Sequence, residues 1–207
     1  MTSDFPVVLD ACVLVPAALR DTLLRLAEKD LYLPRWSDEI IAEMARTLEQ
    51  KRNKTREQTT HLVEQLRTYF GDAWVQNYEP IVSKCTNNEK DRHVLAVAIR
   101  TRADLIVTTN LKHFPVSAIA PWNIEVAHPD NFLVDMHHLN PELVVHTLHE
   151  QARDIGRTFE MQLEEMKKGL PRFVQVISEA LRIMPSPADN GFREERGAST
   201  RIRRKPN

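Results

Sequence analysis

The sequence predicts an α/β protein with a mostly parallel central sheet between layers of helix, followed by a helical extension. Three observations predict it. Short apolar runs alternate with amphipathic stretches at helical spacing, the pattern of strand–helix–strand units in three-layer packing. Leu105-Ile106-Val107 is apolar at consecutive positions, as expected of a strand buried on both faces. From about Pro141 the strand signals stop and helical segments follow one another.

The first strand is Val7 to Leu9, and it ends on Asp10. Pro16 suits the first turn of the next helix, where a missing N–H costs little. Leu19, Leu23, Leu24, Leu26 and Ala27 give that helix a buried stripe. Leu31-Tyr32-Leu33-Pro34 reads as a second strand closed by its proline. Ser37 then has the chemistry of an N-cap, with Asp38 and Glu39 complementing the helix dipole in the first turn. That helix is expected to run to about Gln50, with Ile40, Ile41, Met44 and Leu48 facing inward and Glu43 beside them. Arg56 to Tyr69 is another helix, and Ala73-Trp74-Val75 a short strand.

The polar loop from Asn87 to Asp91 leads into a helix over roughly Lys90 to Arg102, cored by Val94, Leu95, Ala98 and Ile99. The buried strand at Leu105 follows and ends in Thr108-Thr109-Asn110. A last strand lies around Ile124 to Val126, and Asp130 to Leu133 opens the helix that closes the core. The expected division is a core domain over 1–138, a helical extension over 139–184 and a basic disordered tail over 185–207. The extension holds helices at Pro141 to Ile155, Phe159 to Lys168 and Leu170 to Met184, the last with a stripe of Phe173, Val176, Ile177, Ala180 and Leu181. It is expected to pack on the core or on a partner.

Composition excludes several classes. At 42% apolar and 28% charged, the 207 residues are those of an ordinary globular chain. No run is long enough to span a bilayer, no signal peptide is recognisable, and Cys12 and Cys85 lie too far apart in sequence for a zinc knuckle. A reducing cytoplasm is the expected compartment. The net charge of −1 argues against a protein that coats nucleic acid, but not against one that holds it locally. Only five glycines, and no Gly-rich loop after the first strand, argue against a dinucleotide-binding protein.

Three acids stand at or beside strand–helix junctions: Asp10, Glu43 and Asp91. In a parallel sheet such positions converge on the crevice at the carboxyl ends of the strands. Packed carboxylates repel one another, and a divalent cation relieves the repulsion. Magnesium (Mg2+) and manganese (Mn2+) prefer such oxygen donors, activate water and neutralise charge on a phosphoryl group. The residues therefore point to metal-assisted phosphodiester hydrolysis. Taken singly, each acid has another reading: Asp10 a helix cap, Glu43 a surface charge, Asp91 a first-turn acid.

Val8-Leu9-Asp10-Ala11, Ser37 to Glu43, Asp91 to Ala98 and Val107 to Phe114 resemble, in order and spacing, the successive motifs of PIN domains, closest to the VapC-type toxins of bacterial toxin–antitoxin modules. The resemblance covers about Val7 to Leu133. It implies the α/β/α PIN fold and a magnesium-dependent endoribonuclease that cleaves RNA, with Asp10, Glu43 and Asp91 as metal-binding acids. It also implies a homodimer and a small antitoxin partner. The helices after Pro141 resemble the extension of a longer subgroup.

Two positions depart from the family pattern. Asn110 stands near where many members carry a fourth acid; it is a metal or water ligand, or a turn former. Cys12 replaces the small hydrogen-bonding residue usual after the first acid. Arg35, Trp36, Thr108 and Arg92 are further candidates for contact with RNA, Arg by charge, Trp by stacking on a base and Thr108 by orienting a phosphate or an acid. Each also has a packing, capping or ion-pair reading. His93 reads as structural, and His146 with His149 as solvated helix residues rather than zinc ligands. A haloacid-dehalogenase-type phosphatase wants an acid where Cys12 stands. The remaining rival is a PIN-like RNA-binding or regulatory protein without turnover, favoured by the missing fourth acid.

Overall fold

A computed structural model describes residues 5–183. Four parallel strands, β1 (Pro6–Leu9), β2 (Leu33–Arg35), β3 (Leu105–Val107) and β4 (Glu125–Ala127), form one sheet in the order β2-β1-β3-β4. Val8 pairs with Arg35 on one side and with Ile106 on the other, and Val107 pairs with Ala127. Parallel neighbours need crossovers, so helices cover the sheet and the central strands are buried. Val7, Val8, Leu9, Ile106 and Val107 accordingly expose nothing.

The chain leaves β1 toward β2 on one side and later returns to place β3 on the other. The junction between β1 and β3 is thus the switch point at which an open sheet leaves a crevice.

After β1 come α1 (Ala11–Leu14) and α2 (Ala17–Glu28). The second strand is shifted from its expected place: Pro34 lies inside β2 and pairs with Val7. Because β2 is the sheet edge, the ring's missing N–H can face outward at no cost to the ladder. α3 (Asp38–Arg52) starts where expected, Ser37 Oγ accepting from the Ile40 N–H at 3.3 Å. Its face of Ile40, Ile41, Met44 and Leu48 is buried. α4 (Arg56–Tyr69) begins with a capping box of Thr55 and Gln58. The expected strand at Ala73 is instead a 3-10 turn over Gly71–Ala73 and a single parallel bridge between Trp36 and Trp74. It extends the β2 edge by one residue pair and goes no further.

A short α5 (Glu79–Val82) and a 3-10 turn over Glu89–Asp91 precede α6 (Arg92–Thr101), whose residues His93 to Ala98 are buried. A 3-10 turn over Leu111–His113 and α7 (Val116–Ile119) connect β3 to β4. Then follow α8 (Pro129–Leu139), α9 (Pro141–Asp154), α10 (Phe159–Lys167) and α11 (Pro171–Ile183).

The last helices pack on the core. Phe132 of α8 meets Tyr32 edge-on, with ring centroids 5.1 Å apart. Gln151 of α9 accepts from the Thr22 hydroxyl at 2.8 Å and donates to the Ala18 carbonyl at 2.9 Å, both on α2. Lys29–Glu150 and Arg25–Asp154 ion pairs flank that contact. Asp130 accepts from the backbone N–H groups of Arg172 and Phe173 and so caps α11. Phe173 and Ile177, from the expected stripe, are fully buried. Among the described residues no helix is long and apolar enough to cross a membrane. The basic tail expected over 185–207 lies outside the described residues.

Candidate active site

Asp10 follows the last residue of β1, and its N–H donates to the Val107 carbonyl at the end of β3. It therefore stands at the switch point and is 3% exposed. Its carboxylate does not cap α1. Instead Oδ2 accepts from the fully buried Thr108 hydroxyl at 2.6 Å and from the Cys12 thiol at 3.2 Å. The helix-cap reading of Asp10 is thereby excluded, and of the roles open to Thr108 the orientation of an acid is the one observed.

Cys12 does more than pack. Its Sγ lies 3.3 Å from Thr108 Oγ1 and accepts from the Thr109 N–H at 3.2 Å. Burial, with the negative charge of Asp10, pushes this thiol up to about 11. The thiol thus stays protonated and available as a donor near neutral pH.

Asp91 is nearly buried at the entry to α6 and does not cap that helix with its side chain. Its Oδ2 lies 2.5 Å from His113 Nδ1. This pair was not legible in the sequence, where the two residues are separated by twenty-one others of mixed character.

Glu43 projects from α3 and is half-buried. Burial holds its carboxyl above the usual range; His93 opposes this, while the charges of Asp10, Asp91 and Glu39 add to it. Three acids from β1, α3 and the start of α6 therefore share one electrostatic neighbourhood. Buried His93 lies beside α3, 3.7 Å from Glu43 and 4.0 Å from Glu39.

Among the described residues, no three His, Cys, Asp or Glu side chains are closed up as a metal cage requires. The oxygens of Asp10 and Asp91 are turned instead to Thr108 and His113. The donor set nonetheless fits a hard divalent cation: carboxylate oxygens in excess of positive charge, mutually destabilising when ionised.

Residues 6–112 match the family model of PIN domains, and residues 129–179 match that of the VapC50 C-terminal domain. Over 123 residues the chain is 38% identical to the "Putative ribonuclease VapC50" of Mycobacterium tuberculosis, an alignment covering 58% of this chain and 71% of that protein. The chain belongs to the PIN domain family. It is a PIN protein of VapC type with a VapC50-like C-terminal domain, and the match to that domain takes in α8 as well as the later helices.

The other expected contacts of this PIN domain divide sharply. Trp36 cannot stack on a base: it is fully buried, with Phe70 and Trp74 packed edge-on at 5.9 and 5.5 Å. The substrate-stacking expectation for it is corrected, because the ring fills the core beneath the β2 edge. Arg35 donates to the Pro34 and Asp72 carbonyls and so braces that edge. Arg92 lies 3.5 Å from the Asn87 carbonyl, holding the loop before α6. Asn110 is half-buried; its N–H donates to Thr108 Oγ1, and its own side chain makes no cap. The turn is therefore closed by Thr108, which leaves the Asn110 amide without the turn-forming role. His146 pairs with Glu150, and His149 stacks on Phe159 at 3.9 Å, so neither histidine is oriented toward a shared ion.

Proposed function

We propose that this PIN protein is a magnesium-dependent endoribonuclease, manganese substituting, and that it is the toxin of a type II toxin–antitoxin pair. The single observation that supports the reading is the buried Asp10 carboxylate at the β1–β3 switch point, held by Thr108 and Cys12 instead of capping a helix, with the charges of Asp10 and Asp91 acting on Glu43. The name of the related Mycobacterium tuberculosis protein, "Putative ribonuclease VapC50", supports it.

Asp10, Glu43 and Asp91 would hold the cation, with the Asn110 amide oxygen as a neutral supplement. When bound, such a cation supplies an activated water and offsets charge at the scissile phosphate. The chain's own residues prepare that site. Thr108 and Cys12 both donate to Oδ2 of Asp10 and so fix the carboxylate in place. His113 holds Asp91 in place, and His93 moderates the negative charge behind Glu43. A small antitoxin protein, a second copy of the chain and a cytoplasmic location belong to the same proposal.

A second reading, an RNA-binding or regulatory PIN protein without turnover, is favoured by one feature: the end of β3 carries Asn110 in place of a fourth acid. One experiment separates them. Asp10→Ala is expected to keep the native circular dichroism spectrum and to lose RNA cleavage by more than about 100-fold, beyond the cost typical of residues that merely support a metal ligand. Undiminished cleavage by that variant would show that Asp10 has been given the wrong role. Failure of the native chain to bind magnesium or manganese in a calorimeter would favour the second reading.

A further inference from the structure

We propose that the turn joining α3 to α4 is a contact for RNA phosphates, separate from the acids and about two helical turns and a half away from Glu43. This inference rests on the ribonuclease reading and adds where on the surface the RNA is held.

Lys51-Arg52-Asn53-Lys54-Thr55-Arg56 carries four cations and no acid, in a chain whose net charge is −1. All six residues are exposed. None of the four basic side chains makes an ion pair or hydrogen bond with another described residue, whereas Arg25, Lys29, Arg67 and Arg157 each have carboxylate partners. Helix electrostatics explains only half of this. Lys51 and Arg52 complement the negative carboxyl end of α3, but Arg56 opens α4, where the dipole disfavours a cation. Lys54 belongs to neither helix.

The turn is also ordered in advance. Asn53 adopts the left-handed conformation, with φ 51°. Thr55 and Gln58 close a capping box, and the Thr59 hydroxyl donates to Glu49 at 2.6 Å across the turn. Phosphates meeting it need not first order the loop.

The chemistry favours RNA over a protein partner. From Glu49 to His61 there is no Ala, Val, Leu, Ile, Met, Phe, Trp, Tyr or Cys. A protein interface draws most of its affinity from buried anchors, and none is present here; a polyphosphate needs only the charge. Position agrees. Lys51 lies eight residues beyond Glu43 on α3, about 12 Å along its axis and about 80° around it, while Arg52 falls on the opposite face. At about 3.4 Å per nucleotide that is roughly four nucleotides of a helical strand, so one RNA can reach both. Arg46, three residues beyond Glu43 on the same side of α3, is a further exposed cation between them.

The test uses the full chain in EDTA and a fluorescently labelled hairpin RNA, read by anisotropy across a salt series. Replacing Lys51, Arg52, Lys54 and Arg56 together by Gln is expected to lower the slope of log affinity against log salt by about 3 and affinity at about 0.1 M salt by at least about tenfold. Replacing all four by Lys or Arg should restore both. A matched control, with Lys84, Arg102, Lys168 and Arg182 changed to Gln, is expected to keep the native slope. With manganese present, KM should rise in the turn variant while kcat at saturating RNA holds. A native slope in the turn variant, or an equal loss in the control, overturns this inference while leaving the ribonuclease reading standing. Competition by polyglutamate as effective as by RNA also overturns it, since an acidic polypeptide would then be the ligand. If the native chain binds no RNA at any salt, both readings fall together.

Discussion

Thr108 shows how much one hydroxyl can decide. It is fully buried, donates to Asp10 at 2.6 Å and accepts from the Asn110 N–H at 3.0 Å. Thr108→Val keeps the shape and removes both bonds, so cleavage should fall about 10- to 100-fold while Thr108→Ser retains most of it. Equal rates for the two variants would show that the hydroxyl has no part in positioning Asp10. His137 offers a different residue-level test. It is buried on α8, its Nδ1 has no hydrogen-bond partner, and burial with neighbouring His138 pushes its pKa below the ordinary 6.5. The folded state therefore prefers the neutral ring, while the unfolded chain takes up a proton near pH 6.5. Its contribution to stability is complete above that pH and lost as pH falls below it. Thermal melts between about pH 7.5 and 5.5 should show a smaller acid-induced loss in His137→Phe than in the native chain; parallel curves would contradict this.

Among the elements, those with strong local signals formed where expected. Ser37 and its acidic first turn started α3, and the apolar stripe of α3 was buried, as were Val94, Leu95 and Ala98 of α6 and Phe173 and Ile177 of α11, the rest of those two stripes being half-buried. Where an element depended on its neighbours, the local reading slipped. Pro34 was read as the end of a strand, yet it lies inside β2, because a proline is tolerated wherever its missing N–H faces no partner. Trp36 was read as a candidate base-stacking residue, yet Phe70 and Trp74 enclose it, residues more than thirty positions away in the chain. The union of α2 and α9 makes a quantitative prediction. Gln151 satisfies Thr22 and the Ala18 carbonyl in a nearly dry contact, so Gln151→Ala should cost about 1–3 kcal/mol. For a chain of this size that lowers Tm by about 2–4 °C per kcal/mol. A melt unchanged within error would mean that the extension is held by its apolar contacts alone.

For the whole molecule, the carboxylate neighbourhood sets stability against function. Burial, with added repulsion from Asp10, Asp91 and Glu39, raises the Glu43 carboxyl, so the metal-free fold carries an electrostatic cost at its crevice. Manganese or magnesium at about 100 times its dissociation constant should raise native stability by about 2.7 kcal/mol. EDTA should reverse it. Glu43→Gln is expected to melt higher than the native chain in EDTA and to respond less to either cation; a lower melt in EDTA would show that Glu43 is stabilising as it stands.

The sequence by itself determined much of the alternation of strand and helix, the order of the PIN motifs and the placing of Asp10 at a strand end, Glu43 on α3 and Asp91 at the entry to α6, although no strand precedes that entry. These are properties of residues close together in the chain, where periodicity, capping and strand ends are written. Only the tertiary structure decided what each acid touches: Thr108 for Asp10 across 98 positions, His113 for Asp91 across 22, and the enclosure of Trp36. The Asp10–Thr108 bond follows from the parallel pairing of β1 with β3 and the Trp36 enclosure from the packing at the β2 edge, and a contact made between distant segments has no periodicity for a single sequence to display.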